Sequence, residues 1–202
     1  DSVPESVSFG VAALAEQWGA ECLGRTRLGD NLHSMQSAAA EMIGAADLLV
    51  VTGGASVGEK DFAKAMFEPL GLELLFSKVA IKPGKPVWLG RVAGKFVMGL
   101  PGNPTSALVT ARLMLAPLIA ALTGQSAGCA LCWRTVPLHA GLDACGDRET
   151  FHRAQRIGPA ADILSFQDSG AQKALAQADL LVRQPANSPA LAAGAAVQVL
   201  DF

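Results

Sequence analysis

Asp47-Leu-Leu-Val-Val-Thr-Gly-Gly-Ala-Ser-Val-Gly-Glu-Lys-Asp61 decides the fold. Its first part, Asp47–Val51, is a short apolar run without polar alternation, the pattern of a strand covered on both faces. Glycines follow at once, and a helix is predicted to open near Lys60. A strand that breaks into glycines and reopens as a helix is one way to build an anion site. Gly53, Gly54 and Gly58 let backbone N–H groups approach a ligand, and a helix N-terminus adds partial positive charge. Thr52 and Ser56 bring hydroxyls to the same loop. Glu59 and Asp61 bring carboxylates able to hold a cation beside a phosphate. The same residues also describe a tight turn whose glycines only satisfy backbone geometry, and the loop alone does not separate the two readings.

Outward from this loop the chain alternates. Pro4–Trp18 reads as a helix with Val7, Val11, Leu14 and Trp18 on one face. Glu21–Leu28 reads as a strand, His33–Ala46 as an alanine-rich helix and Phe62–Leu70 as a helix stopped near Gly71. Leu72–Ala80, Val87–Val92 and Lys95–Leu100 read as strands. Pro104–Leu122 is a long helix in which Pro117 is expected to produce a kink. Alternation of this kind predicts a three-layer α/β/α domain with a mostly parallel sheet over residues 1–124. From residue 125 the pattern changes to short strands separated by glycine, proline and aspartate: Cys129–Leu138, Thr150–Ile157, Ile163–Phe166, Leu180–Arg183 and Ala196–Leu200. With one helix-like stretch, Ala171–Ala178, residues 125–202 read as a small β domain, a sandwich or barrel by spacing. The chain opens on a helix, whereas doubly wound domains begin with a strand. It is therefore expected to be a fragment lacking the first strand of its sheet.

Half of the 202 residues are apolar, enough for a core, and the formal charge of −2 offers no basic field for nucleic acid or an anionic membrane. The apolar stretch Leu113–Leu122 is too short to span a bilayer. No leader peptide is visible at the start. Four cysteines without framework spacing fit a reducing cytoplasm. Cys129-Ala-Leu-Cys132 is formally a CxxC motif. No second pair or suitably spaced histidine accompanies it, so both thiols read as strand-packing residues.

Ligands of open α/β sheets collect beyond the carboxyl ends of the strands. Besides the glycine loop, Gly29-Asp30-Asn31 and Leu100-Pro-Gly-Asn-Pro104 lie there. In the second, Asn103 is placed to cap a helix whose first residue is Pro104, so the turn reads either as a rigid cap or as a second helix N-terminus facing an anion. Lys78-Val-Ala-Ile-Lys-Pro-Gly-Lys-Pro86 reads as a hairpin turning at Pro83-Gly84, with Lys78, Ala80 and Lys82 on one face. Three lysines at a rigid turn suit phosphate or an oxyanion, or simply solvent. His33, His139 and His152 form no constellation, and nothing argues for covalent catalysis.

Taken together, Thr-Gly-Gly-Ala-Ser-Val-Gly-Glu-Lys-Asp, Ile-Lys-Pro-Gly-Lys-Pro and Gly-Leu-Pro-Gly-Asn-Pro-Thr-Ser-Ala closely resemble the MoeA-type molybdopterin molybdenumtransferases. The likeness runs in order through residues 1–125. It continues more weakly through Arg148-Glu-Thr-Phe-His-Arg-Ala154 and the glycine-spaced C-terminus, which resemble that family's small β-barrel. Ala55-Ser56-Val57-Gly58 differs from the Thr-Gly-Gly-Thr-Gly of MogA-type adenylyltransferases and from the Gly-Gly-Leu-Gly-Pro-Thr of the CinA-type branch.

The resemblance implies molybdenum insertion: adenylylated molybdopterin plus molybdate gives molybdenum cofactor plus AMP, with Mg²⁺ as cofactor. It implies Asp30 and Asp61 as acidic residues, with metal ligation the least secure of their roles. It implies Lys78 and Lys82 nearest molybdate or phosphate, with Lys85 beside them. Thr52, Gly53, Gly54, Ser56, Gly58, Pro101, Gly102, Asn103 and Pro104 are implied as the substrate pocket. It further implies a homodimer in the full-length protein, exchange with a MogA-type adenylyltransferase, and poor activity of this chain by itself. Two alternatives share the architecture: a peptide-binding scaffold of the gephyrin E-domain type, and a MogA-type adenylyltransferase.

Overall fold

The computed structural model describes residues 7–53, 62–167 and 175–202. Gly54, Ser56, Gly58 and Asp61, and the first half of the helix expected at 171–178, lie outside the described residues. The first half contains α1 (Val7–Gln17), α2 (Leu32–Ala45), β1 (Leu48–Thr52), α3 (Phe62–Ala65), β2 (Glu73–Ser77), β3 (Ile81–Lys82), β4 (Trp88–Val92) and β5 (Lys95–Leu100). A continuous helix follows, built from α4 (Pro104–Thr110), a π turn (Ala111–Leu115) and α5 (Ala116–Leu122). Pro117 has no N–H to give the carbonyl four residues back. The widened turn directly ahead of it is the physical form of the expected kink. By length and composition Pro104–Leu122 could cross a membrane, but 61% of it is buried inside the protein, as in a core helix.

β1, β5, β4 and β2 form a sheet in that order. β1 runs parallel to β5, whereas β5–β4 and β4–β2 are antiparallel. The sheet is therefore mixed, not mostly parallel. The cause is the Ala93-Gly94 connection, whose left-handed φ values of 50° and 80° make a two-residue hairpin, and a parallel crossover cannot be that short. The strand expected at Glu21–Leu28 is absent: this stretch is irregular and mostly exposed. It pairs with neither edge of the first sheet, β1 or β2, and strand-forming side chains without a ladder do not make a strand.

Side chains alternate across the sheet. Leu48, Val50, Met98 and Leu100 meet α1 and the long helix, while Leu49, Val51, Val97 and Trp88 meet α2 and α3. Helices thus cover both faces, which gives three layers.

The second half contains β6 (Arg134–Pro137), β7 (Glu149–Ile157), β8 (Ala160–Ile163), β9 (Leu180–Gln184) and β10 (Ala196–Asp201). Their order is β3-β7-β9-β10-β6, with β8 also on β7. An isolated bridge, Leu138 to Ala161, joins the β6 and β8 ends, and a continuous barrel seam is not formed among the described residues. The last expected boundaries shift for local reasons. Gly158, at φ 55°, turns the chain so that β8 occupies 160–163 rather than 163–166. Residues 127–131 form a 3₁₀ turn ahead of β6, which leaves Cys129 and Cys132 as exposed free thiols instead of strand-packing residues.

The halves share a core. Val109 of α4 packs with Ile81, Phe151, Leu181 and Leu200. Beside it the largely buried Arg112 donates from Nε to the Asp201 carbonyl (2.8 Å) and from Nη1 to the Ala130 carbonyl (2.6 Å).

Candidate functional site

One end of the first sheet gathers three of the expected elements. Val51 pairs with Gly99, Gly99 with Trp88 and Trp88 with Ser77, so the strands reach that end in step. Thr52-Gly53 and Leu100–Pro104 lie side by side there: the Gly53 N–H donates to the Leu100 carbonyl at 3.3 Å. A Cβ added at Gly102 would come within 3.0 Å of the Gly53 Cα, so the two loops touch backbone to backbone. Asn103 caps α4 as expected, its side chain accepting from the Ser106 N–H at 3.5 Å, with Pro104 as the first helical residue. Behind the turn Thr105 is fully buried, and its hydroxyl has no partner among the described residues. Asp30 is exposed, just ahead of Asn31, which caps α2 by accepting from the Ser34 N–H at 3.0 Å. Because α2 returns directly into β1, its N-terminus lies toward the same end of the sheet.

The lysine segment behaves differently. Lys78 has φ 63°, which ends the strand, so Lys78, Ala80 and Lys82 do not alternate on one face. The Lys78 N–H donates to the Val87 carbonyl and the Val79 N–H to the Lys85 carbonyl, both at 3.0 Å. Strands about 4.8 Å apart put the β2 end, with Lys78, about 14 Å from β1. Ile81 and Lys82 then leave the first sheet and pair parallel to β7, Ile81 opposite Glu149 and Lys82 opposite Thr150. Gly84, at φ 116°, lets the turn settle on α4; a Cβ there would sit 2.2 Å from the Thr110 methyl. The structure thus joins the glycine loop to the Pro-Gly-Asn-Pro turn but carries Lys82 elsewhere.

Lys82 lines a cavity of about 550 Å³ together with the 140–148 loop, β7, β8 and β9. Arg148, Thr150 and His152 all face it. Sequence reasoning noted Arg148–Ala154 only as a family-like segment and gave these three no site role, although their two-residue spacing is the signal of one strand face. The His152 Nε2 lies 2.9 Å from the Gln184 Oε1, and the Gln184 amide donates to the Asp143 carbonyl at 2.8 Å. This chain of bonds fixes the loop to β9 through a glutamine that is almost fully buried. On the opposite rim Gln167 accepts from the Arg153 N–H (3.0 Å) and donates to the Arg153 and Leu164 carbonyls (2.9 and 2.7 Å), pinning residues 164–167 to β7. Burial holds the His152 imidazole below its usual pKa; the Gln184 hydrogen bond opposes this, and the Lys82 and Arg153 charges reinforce it. Two cations, Lys82 and Arg148, line one concave site with hydrogen-bonding groups and the carboxylates Asp143, Asp147 and Asp162, so the side of the site next to the cations is the part suited to an oxyanion. Among the described residues no group of three or more His, Cys, Asp or Glu side chains could hold a metal ion.

Comparison with known proteins is consistent along the whole chain. Residues 2–121 match the probable molybdopterin binding domain family, and residues 135–202 match the MoeA C-terminal region, domain IV. A molybdopterin molybdenumtransferase of Haemophilus influenzae is 44% identical over 117 residues, covering 58% of this chain and 29% of the relative. One from a Nostoc species is 29% identical, covering 99% of this chain and 48% of the relative. A solved molybdopterin biosynthesis MoeA protein from Pyrococcus horikosii superimposes with a TM-score of 0.71 at 29% identity, over 86% of this chain and 41% of that one. The chain thus spans half or less of the length of the curated relatives it matches. It belongs to the MoeA-type molybdopterin molybdenumtransferase family, of which it carries the molybdopterin-binding domain and the C-terminal domain IV region.

Proposed function

We propose that this chain is the oxyanion- and pterin-holding part of an enzyme that inserts molybdenum into adenylylated molybdopterin, with release of AMP, in a reducing cytoplasm. The observation that carries the reading is the cavity in which Lys82 meets Arg148. In this reading the two cations hold molybdate or a phosphate, with Lys78 and Lys85 outside the cavity as flanking charges. At the paired loops of the sheet end, Thr52-Gly53 with Pro101–Pro104, the Gly102 and Asn103 N–H groups serve the phosphate-bearing pterin, and in sequence Gly54, Ser56 and Gly58 continue the first loop. Fixed N–H groups and cations neutralise charge where it develops and hold the reactants in position, and these are the two largest sources of rate in such a transfer.

Asp30 and Asp61 are the acidic residues of this reading, Asp30 lying toward the same end of the sheet. The described residues do not assemble a Mg²⁺ site, since Asp30 stands alone and exposed among them. A homodimer of the full-length protein completes the cleft. The test is AMP release from adenylylated molybdopterin with and without molybdate, by the full-length protein and its Lys82→Ala variant. Loss of one preorganised cation should slow release on the order of 10²-fold. Unchanged release, with the variant folded, would remove Lys82 and its cavity from the reaction.

A further inference from the structure

The Lys82 cavity contains more negative than positive formal charge. Lys82 and Arg148 face the carboxylates Asp143, Asp147 and Asp162 across it. An anion entering near neutral pH is therefore favoured only locally, next to the cations. His152 is the lining group whose ordinary pKa falls within about pH 5 to 8. Its ring is held by Gln184 from β9, itself uncharged. The other groups packed around it can be named from each side. Lys82 comes from β3, Arg153 from its own strand and Asp162 from β8, while Asp143, Cys145, Asp147 and Arg148 come from the 140–148 loop. The Cys145 thiol is engaged, donating to the Pro185 carbonyl at 2.8 Å. The charges that act on the imidazole are the cationic Lys82 and Arg153. The Gln184 Oε1 accepts from Nε2–H whether or not Nδ1 carries a proton, so taking up a proton adds charge without breaking the bond that orients the ring.

We infer that His152 is a proton-operated anion switch. Neutral, it only orders the cavity wall through Gln184; charged, it adds a third cation to Lys82 and Arg148 and tightens oxyanion binding. This deepens the oxyanion reading of the cavity and rests on it. The proton comes from solvent, and by linkage a bound anion must make the imidazole easier to protonate by the same factor by which the proton tightens the anion. Burial and the two cations work against protonation of the ring. The anion itself supplies the compensating charge.

The experiment uses sulfate, a tetrahedral dianion over this whole range, and the intact 202-residue chain. Sulfate affinity is measured by calorimetry from about pH 8 to about pH 5.5 for the parent, His152→Gln and Lys82→Ala. The expected result is a rise of about five- to tenfold in the parent as pH falls, from one added nearby charge. His152→Gln, which keeps an amide to meet Gln184, should show a flat profile at the parent's high-pH affinity. Lys82→Ala should bind weakly throughout. If His152→Gln retains the rise, the inference falls while the oxyanion reading stands. If the parent binds no sulfate at any pH, the oxyanion reading falls and the inference with it. A measurement that needs no variant is the NMR titration of the His152 ring in the parent. Its midpoint should move up by about 0.7 to 1 pH unit with saturating sulfate, the linkage equivalent of that fold-change. A midpoint that does not move overturns the switch.

Discussion

Two proline-glycine turns, Pro83-Gly84 and Pro101-Gly102, have nearly the same composition and opposite histories. At 101–104 everything that matters is local. Asn103 caps, Pro104 occupies the first helical position, and Gly102 makes room for Gly53 on the adjacent strand end. At 82–86 everything that matters is remote. Ile81 and Lys82 pair with Glu149 and Thr150 of the other half, and Gly84 is pressed onto Thr110. The first turn follows from short-range rules about donors and φ angles. The second depends on which strand the segment finds, and no local rule states that.

The sharpest test of this contrast is Gly84→Ala. A Cβ at 2.2 Å from the Thr110 methyl, added at φ 116°, combines overpacking with a strained backbone and should destabilise the protein by about 3 kcal/mol in urea or thermal unfolding. Gly102→Ala meets the Gly53 backbone, its Cα at 3.0 Å and its N at 3.6 Å, with no positive φ, and should cost about 1 kcal/mol. A reversed order would mean that the remote docking of the 82–86 turn is looser than described.

Next in size is the oxyanion effect. Lys82→Ala should weaken sulfate binding by about tenfold, whereas Lys78→Ala, at the end of β2 and outside the cavity, should change it by less than about twofold. Equal losses would restore the single lysine face that the sequence suggested. Asn103→Ala tests the local turn. Loss of the cap should lower stability by about 1 kcal/mol, with no change in sulfate affinity at the Lys82 cavity, which Asn103 does not line.

The smallest effect is a pH dependence of stability. Because the folded protein holds His152 below its ordinary pKa, the unfolded chain binds the proton more readily. Stability is therefore full above about pH 6.5 and declines as pH falls toward the folded-state value. Comparing melting temperatures at two pH values should show this decline in the parent and a smaller one in His152→Gln. Sulfate should offset it.

The α/β character of the first half was legible because Leu48–Val51, the α1 face Val7-Val11-Leu14-Trp18 and the Asn103-Pro104 cap are each set by neighbours within one or two turns of chain. Strand direction was legible as well and was misread. Ala93-Gly94 leaves room for a hairpin only, which makes β4 and β5 antiparallel. Glu21–Leu28 shows the opposite limit: its side chains suit a strand, but pairing needs a neighbour that side-chain pattern does not reveal. The candidate site divides the same way. The sheet-end loops came from motifs. The cavity came from tertiary pairing; of its residues Lys82 was marked by its motif, and the alternating Arg148, Thr150 and His152 left only a spacing pattern in the sequence.

The two-residue strand β3 has a consequence for how such proteins can be rearranged. Ile81 and Lys82 belong by sequence to the first half and by hydrogen bonding to the second. A chimaera that joins this first half to a relative's C-terminal region near residue 125 would hand the foreign sheet an edge strand it did not evolve beside. The transferable unit is therefore discontinuous: the strap from Lys78 to Val87 should travel with the C-terminal sheet it borders, and exchanges that respect this seam should fold where a single cut near residue 125 does not.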